Sequence, residues 1–193
     1  MTVTHGTDPR RAPLKARRDD LYETPPEATR ALLRVENFDG VIWEPACGKG
    51  GIVTVLREHG YEVLATDLVD YDFPTSQWGL DFLMEPKLWG TSIVTNPPFK
   101  LADQFVSHAL ALGAAKVVML LRLAFLESTR RTRILENAGL ARVHVFRNRL
   151  PFMHRDGWEG PKTTSATAYA WFVWDKRHRG PTELHRLSWE TTK

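Results

Sequence analysis

The stretch GVIWEPACGKGGIVTVLREHGYEVLATDL, Gly40 to Leu68, decides the fold. GVIWEPA reads as a buried strand. Gly48, Gly50 and Gly51 then turn the chain, and GGIVTVLREHG carries apolar residues at helical spacing until Gly60 closes it. YEVLATDL reads as a second strand. Strand, glycine turn, helix, strand is the repeating unit of a doubly wound α/β domain.

The pattern continues on both sides. Upstream, TPPEATRALLRV predicts a helix with Thr24 as its cap and Pro25 and Pro26 in the first turn. Downstream, TSIVTN, AKVVMLLRL and ARVHVFRN predict strands. KLADQFVSHALALG predicts a helix closed by Gly113, and LESTRRTRILENAG another. SATAYAWFVWDK alternates like a final, half-exposed strand. The expected organisation is a flexible basic tail over 1–18, one α/β domain over 19–180 and a C-terminal extension over 181–193.

With 193 residues, 42% hydrophobic and 25% charged, the chain has the composition of an ordinary globular domain with a sizeable core. It has no apolar run of membrane-spanning length and no apolar signal core at its N-terminus. The single cysteine, Cys47, excludes an internal disulfide framework and favours a reducing cytosol. No Cys/His cluster has zinc spacing, so no metal is expected. The net charge of +3 conceals segregation. Residues 1–18 carry five basic side chains and one acidic, and residues 19–90 carry five basic and fourteen acidic. Residues 122–155 carry eight arginines against two glutamates. Such an acidic half joined to a basic half is read as two faces with different partners.

Ligands of doubly wound sheets bind beyond the carboxyl ends of the strands. The residues there are EPACGKGG, TDL, LDF and NPPF. The glycines of the first let backbone approach a ligand and aim amide N–H groups at it. A dinucleotide fingerprint would need glycine at position 53, where valine stands, which weakens an NAD reading. Glu44 would repel a pyrophosphate but suits an ammonium. Asp67 can accept from both ribose hydroxyls. Asp81 can accept from an adenine amino group while Phe82 packs on the ring. Each acid alone reads better as a cap or loop carboxylate. Three at successive strand ends favour a nucleoside with a cationic tail, which is the chemistry of S-adenosylmethionine.

TNPPF, Thr95 to Phe99, ends a strand in a turn that cannot relax. An aromatic amine is a poor nucleophile because its lone pair is delocalised into the ring. Two acceptors hydrogen-bonded to the NH₂ draw the nitrogen toward tetrahedral geometry and localise that pair. The Asn96 side-chain carbonyl and the Pro97 peptide carbonyl form such a pair, held by Pro98, and Phe99 supplies a face for a base.

Together these motifs resemble the class I S-adenosylmethionine-dependent DNA adenine-N6 methyltransferases of the small phage and prophage kind, over roughly residues 19–175. The resemblance implies a seven-stranded, mostly parallel Rossmann-like sheet whose last strand is antiparallel, and a cytoplasmic enzyme. It implies S-adenosylmethionine held by Glu44, Pro45, Ala46, Gly48 and Gly50, by Asp67 and Leu68, and by Asp81 and Phe82, with Asn96 beside it. In DDLYETPPEAT, it implies Tyr22, Thr24 and Pro25 closing over the methionine end. Asn96, Pro97, Pro98 and Phe99 would be catalytic, acting on a base flipped from duplex DNA.

The chain departs from that family in having no room for a separate target-recognition domain. The candidates for nucleic-acid contact are Arg122 of the arginine-rich segment and the loop RNRLPFMHRDGWEGPKTTS, Arg147 to Ser165, with Arg147, Arg149, His154, Arg155, Trp158 and Lys162. The same NPPF chemistry serves RNA bases, cytosine N4 and protein glutamine. A non-catalytic nucleic-acid-binding relic of the fold is the reading from another class.

Overall fold

The computed structural model describes residues 22–151 and 167–190. The expected tail over 1–18 lies outside the described residues. So do His154, Arg155, Trp158 and Lys162 of the expected substrate loop.

The strands are β1 (Ile42–Glu44), β2 (Val63–Thr66), β3 (Ser76–Gln77), β4 (Ser92–Thr95), β5 (Lys116–Arg122), β6 (Leu140–Phe146), β7 (Tyr169–Asp175) and β8 (Glu183–Leu187). The α-helices are α1 (Pro26–Leu33), α2 (Gly51–Glu58), α3 (Ala102–Ala111) and the short α4 (Thr132–Leu135). The eight strands form one sheet in the order β3-β2-β1-β4-β5-β7-β6-β8. β1 lies parallel to β2 and β4, and β4 lies parallel to β5. β7 runs antiparallel to both β5 and β6. The chain winds outward from β1 through β2 to β3, then returns to place β4 on the other side of β1. That reversal is where an α/β sheet opens a crevice for a ligand. The architecture is a doubly wound, mostly parallel α/β sheet.

Alternate residues of each central strand enter opposite cores. Ile42, Val94, Val118, Leu120, Trp171 and Val173 face one core, with α1 and α2. Trp43, Ile93, Val117, Met119, Phe172 and Trp174 face the other, with α3. The indoles of β7 fix a helix on each side: Trp171 Nε1 donates to the Ala28 carbonyl at 2.9 Å, and Trp174 Nε1 to the Ile134 carbonyl at 2.7 Å.

Four expectations change in the structure. β7 is buried on both faces rather than half exposed, because it is inserted between β5 and β6. It is followed by β8, an edge strand parallel to β6 within the residues read as an extension, so the sheet has eight strands rather than seven and its antiparallel strand is not the last. The sequence reading missed β8 because four of its five residues are polar or exposed, and β3 because it is two residues long. The helix expected over Leu126–Gly139 shrinks to a 3-10 turn and α4. There Ser128 sits at φ 126°, and the Arg131 guanidinium bonds the Phe125 and Glu127 carbonyls, while Ile134 alone of α4 is buried. Finally, α1 is capped by Pro25 with no side-chain hydrogen bond, so Thr24 is free for another task.

A buried ionic network closes the amino end of the sheet. Glu36 accepts from Lys116 at 2.8 Å, from Arg142 at 2.5 Å and from His144 at 3.0 Å. Burial alone would raise its pKa, but the hydrogen bonds from His144, Arg142 and Lys116 outweigh it and hold the carboxyl at about 2. Among the described residues, no helix is long and apolar enough to cross a membrane.

Candidate active site

The carboxyl ends of β1, β2 and β4 converge with residues 22–24. After β1, Gly48 and Gly50 adopt φ of 50° and 82°, values natural to glycine, and deliver the chain to α2. A side chain at Gly50 would have no room, because the Phe73 ring lies 2.2 Å from where its Cβ would be. Phe73 therefore covers the glycine turn, a contact the sequence did not signal.

The Asp67 carboxylate accepts from the Gly48 amide at 2.8 Å and the Val69 amide at 3.0 Å. It thus ties the end of β2 to the glycine turn. Glu44 is 1% exposed, and its Oε2 has no hydrogen-bond partner among the described residues. Burial first, and then the charge of Asp67, push its carboxyl well above the usual carboxylate range. The Cys47 thiol is buried beside them, and its pKa is pushed up to about 12, again mainly by burial.

Asn96 follows β4. Its Nδ2 donates to the Tyr22 carbonyl at 2.9 Å and to Thr24 Oγ1 at 3.1 Å, while its Oδ1 is buried with no partner. The half-buried Phe99 ring packs at 4.8 Å on Tyr22 and 5.7 Å on Tyr169, and the Arg122 guanidinium covers it at 4.4 Å. The face that sequence reasoning offered to a base is therefore already stacked.

Tyr22, Thr24, Glu44, Ala46, Gly48, Asp67, Asn96, Pro97 and Pro98 line one cleft of about 560 Å³ including its open mouth. Gly51, one of the glycines expected to approach a ligand, lines it too, as do Glu23, Cys47, Lys49 and Tyr71, which were not foreseen. Cys47, Lys49 and Gly51 fall inside the glycine turn already singled out, whereas Tyr71 lies in a loop with no motif. Other expected residues stand apart. Pro25, Pro45 and Gly50 are buried and Leu68 is exposed, and none of them lines the cleft. Phe82 is only 2% exposed and packs in the core at 5.2 Å from Trp43 and 4.8 Å from Phe105. Asp81 is exposed and caps the following 3-10 turn, accepting from the Leu83 amide at 3.0 Å.

Two further hollows lie along the same edge. Phe99, Leu121, Arg122, Phe125 and Arg131 line one of about 540 Å³. Phe146, Arg147, Asn148, Arg149 and Tyr169 line another of about 510 Å³. Arg131 was not foreseen, and its charge is paired with Asp103 at 2.6 Å. Arg122, Arg147 and Arg149 are exposed.

No family model matches the sequence, and no curated protein matches it. Solved structures do match. A protein of Pyrococcus horikoshii assigned as an RNA methyltransferase superposes with a TM-score of 0.60 at 13% identity, over 86% of this chain and 91% of that one. A protein of Vibrio vulnificus YJ016 assigned as the modification subunit of a type I restriction enzyme gives 0.56 at 15% identity, over 89% of this chain and 48% of that one. A TehB-like SAM-dependent methyltransferase from Corynebacterium glutamicum gives 0.50 at 18% identity, over 79% and 88%. At these identities the likeness shows the fold: this chain has the fold of the SAM-dependent methyltransferases.

Proposed function

We propose that this chain is an S-adenosylmethionine-dependent methyltransferase whose acceptor is the exocyclic N6 amine of adenine in DNA. The observation that carries the reading is Asn96: its amide nitrogen is engaged twice, and its carbonyl oxygen is left buried and unpartnered beside the cleft. A buried acceptor without a donor costs about 1–3 kcal/mol, which favours a role for that oxygen with a ligand N–H.

The residues present fit the cofactor. The orphaned, buried Glu44 oxygen supports a cationic ligand, since an ammonium would supply its missing donor and restore its charge. Glu44 would hold the ammonium end and Asp67 the ribose hydroxyls. When bound, S-adenosylmethionine supplies an electrophilic methyl group. The protein's part is to present the amine: Asn96 Oδ1 and the Pro97 carbonyl accept its two N–H groups and localise the nitrogen lone pair. The turn held by Pro97 and Pro98 keeps both acceptors in place before the amine arrives. For a base to stack on Phe99, Arg122 has to leave the ring, and a phosphate of the same strand is its natural new partner. Arg147 and Arg149 extend that basic edge.

RNA is the second reading. The acceptor pair suits an adenine in either polymer, and the likenesses to the Pyrococcus horikoshii and Vibrio vulnificus proteins are likenesses of fold that favour neither. The basic hollows favour a nucleic acid over protein glutamine, and the engaged Asn96 favours an enzyme over a relic. The test is to incubate the protein with labelled S-adenosylmethionine and duplex DNA, single-stranded DNA or RNA, and identify the methylated nucleoside by mass spectrometry. N6-methyladenine in DNA supports the proposal. Its absence from DNA, with methylation of RNA or of cytosine, overturns it.

A further inference from the structure

A side-chain amide can be turned either way, and only one way presents Oδ1 to a substrate amine. We infer that Thr24 is a positioning residue that holds the Asn96 amide in the orientation the Tyr22 carbonyl selects, as part of a strap formed by residues 22–24. The inference rests on Asn96 being the acceptor of the target amine, as proposed above.

Two oxygens face the Asn96 nitrogen: the Tyr22 carbonyl at 2.9 Å and Thr24 Oγ1 at 3.1 Å. A reversed amide would bring Oδ1 against the Tyr22 carbonyl, two acceptors with no proton between them. The strap therefore selects the orientation seen, and Oδ1 is left for the ligand. The strap is itself seated on both halves of the cleft. The Thr24 carbonyl lies against Gly51 of α2, where a Cβ would be 2.7 Å from its oxygen. The Tyr22 ring packs on Phe99 at the far end of the catalytic turn. Thr24 is buried, and α1 begins without any side-chain cap, so its hydroxyl is not held by the helix. Its position is explained by Asn96, and its effect on methyl transfer is indirect.

The test compares Thr24→Val, which keeps the shape and removes the hydroxyl, with Thr24→Ser, which keeps the hydroxyl. Turnover on DNA and S-adenosylmethionine affinity are measured for both. In parallel, exchange of the Asn96 side-chain NH₂ protons is followed by NMR on asparagine-labelled protein without substrate, the resonance being identified by its loss in Asn96→Ala. Thr24→Val should lower kcat by about tenfold, the effect of one hydrogen bond at the reacting acceptor. It should speed the exchange of the Asn96 amide, and the fall in kcat should exceed any fall in cofactor affinity, which separates the positioning role from the contact of Thr24 with the methionine end. Thr24→Ser should restore both. Amide exchange unchanged in Thr24→Val, or a loss of cofactor affinity with kcat retained, would overturn the assignment. If the wild-type protein methylates no nucleic acid, the functional proposal fails on its own, and the amide exchange still decides the role of Thr24.

Discussion

Adding one methyl group at Gly51 probes the strap from its opposite side. An alanine Cβ would stand 2.7 Å from the Thr24 carbonyl oxygen, where ordinary contact begins at 3.4 Å. Backbone cannot rotate away as a side chain can, so the strap has to retreat by about 0.7 Å. A retreat of that size directed away from Asn96 stretches the 3.1 Å bond between Thr24 and Asn96 to at most about 3.8 Å, beyond hydrogen-bond range. Losing one neutral hydrogen bond costs about 0.5–1.5 kcal/mol. Felt at the acceptor, that is roughly a two- to tenfold fall in kcat. Stability should fall by about 1–3 kcal/mol, the usual cost of forcing a group into a packed contact, offset in part by the roughly 0.4–1 kcal/mol that Gly→Ala in a helical conformation contributes through the unfolded chain. The assay pairs single-turnover methylation with urea denaturation of Gly51→Ala. Wild-type turnover in a stably folded variant would refute the coupling between the glycine turn, the strap and Asn96.

Glu44 and Glu36 should give opposite pH signatures. The folded pKa of Glu44 is raised, so its contribution favours the folded state below about 4.5 and is lost as pH rises through the folded value. Glu44→Gln should flatten that fall in denaturant midpoints and also remove the rise of S-adenosylmethionine affinity with pH; an unchanged profile would take the Glu44 charge out of the site. Glu36 is depressed from 4.5 to about 2, so its contribution, on the order of 3 kcal/mol, is present above pH 4.5 and lost as pH falls toward 2. Acid titration of Glu36→Gln by circular dichroism should lack that component, and a wild-type acid transition in the variant would contradict the assignment. Replacing Arg147 and Arg149 together by alanine should reduce the salt slope of DNA binding by up to about two units while leaving cofactor affinity unchanged, and an unaltered slope would remove them from the interface.

Much of the sheet was legible because its central strands are buried on both faces and therefore read as continuous apolar runs. The edges were not: β3 and β8 are held by backbone ladders rather than by side chains with a distinctive pattern. The Arg-rich segment misled because Ile134 is its one fully buried residue, with only Leu135 and Ala138 partly buried beside it, too small an apolar face for a long helix. At the site, the glycines, Glu44, Asp67 and Asn96 were legible because strand ends place them together whatever the loops do. Phe82 was not, because a sequence cannot tell an aromatic ring that faces a ligand from one packed against Trp43 and Phe105. Thr24 fitted a helix cap locally, but a contact across 72 positions of sequence decides its use.

The central claim is that Asn96 Oδ1 receives the target amine. Its most direct measurement is single-turnover methyl transfer to DNA by wild type and Asn96→Ala, with the methylated nucleoside identified by mass spectrometry and S-adenosylmethionine binding measured by calorimetry on the same preparations. The account predicts N6-methyladenine from the wild type, and loss of methyl transfer in the variant with cofactor affinity retained. Near-normal turnover by Asn96→Ala, with the cofactor bound equally well, would contradict it.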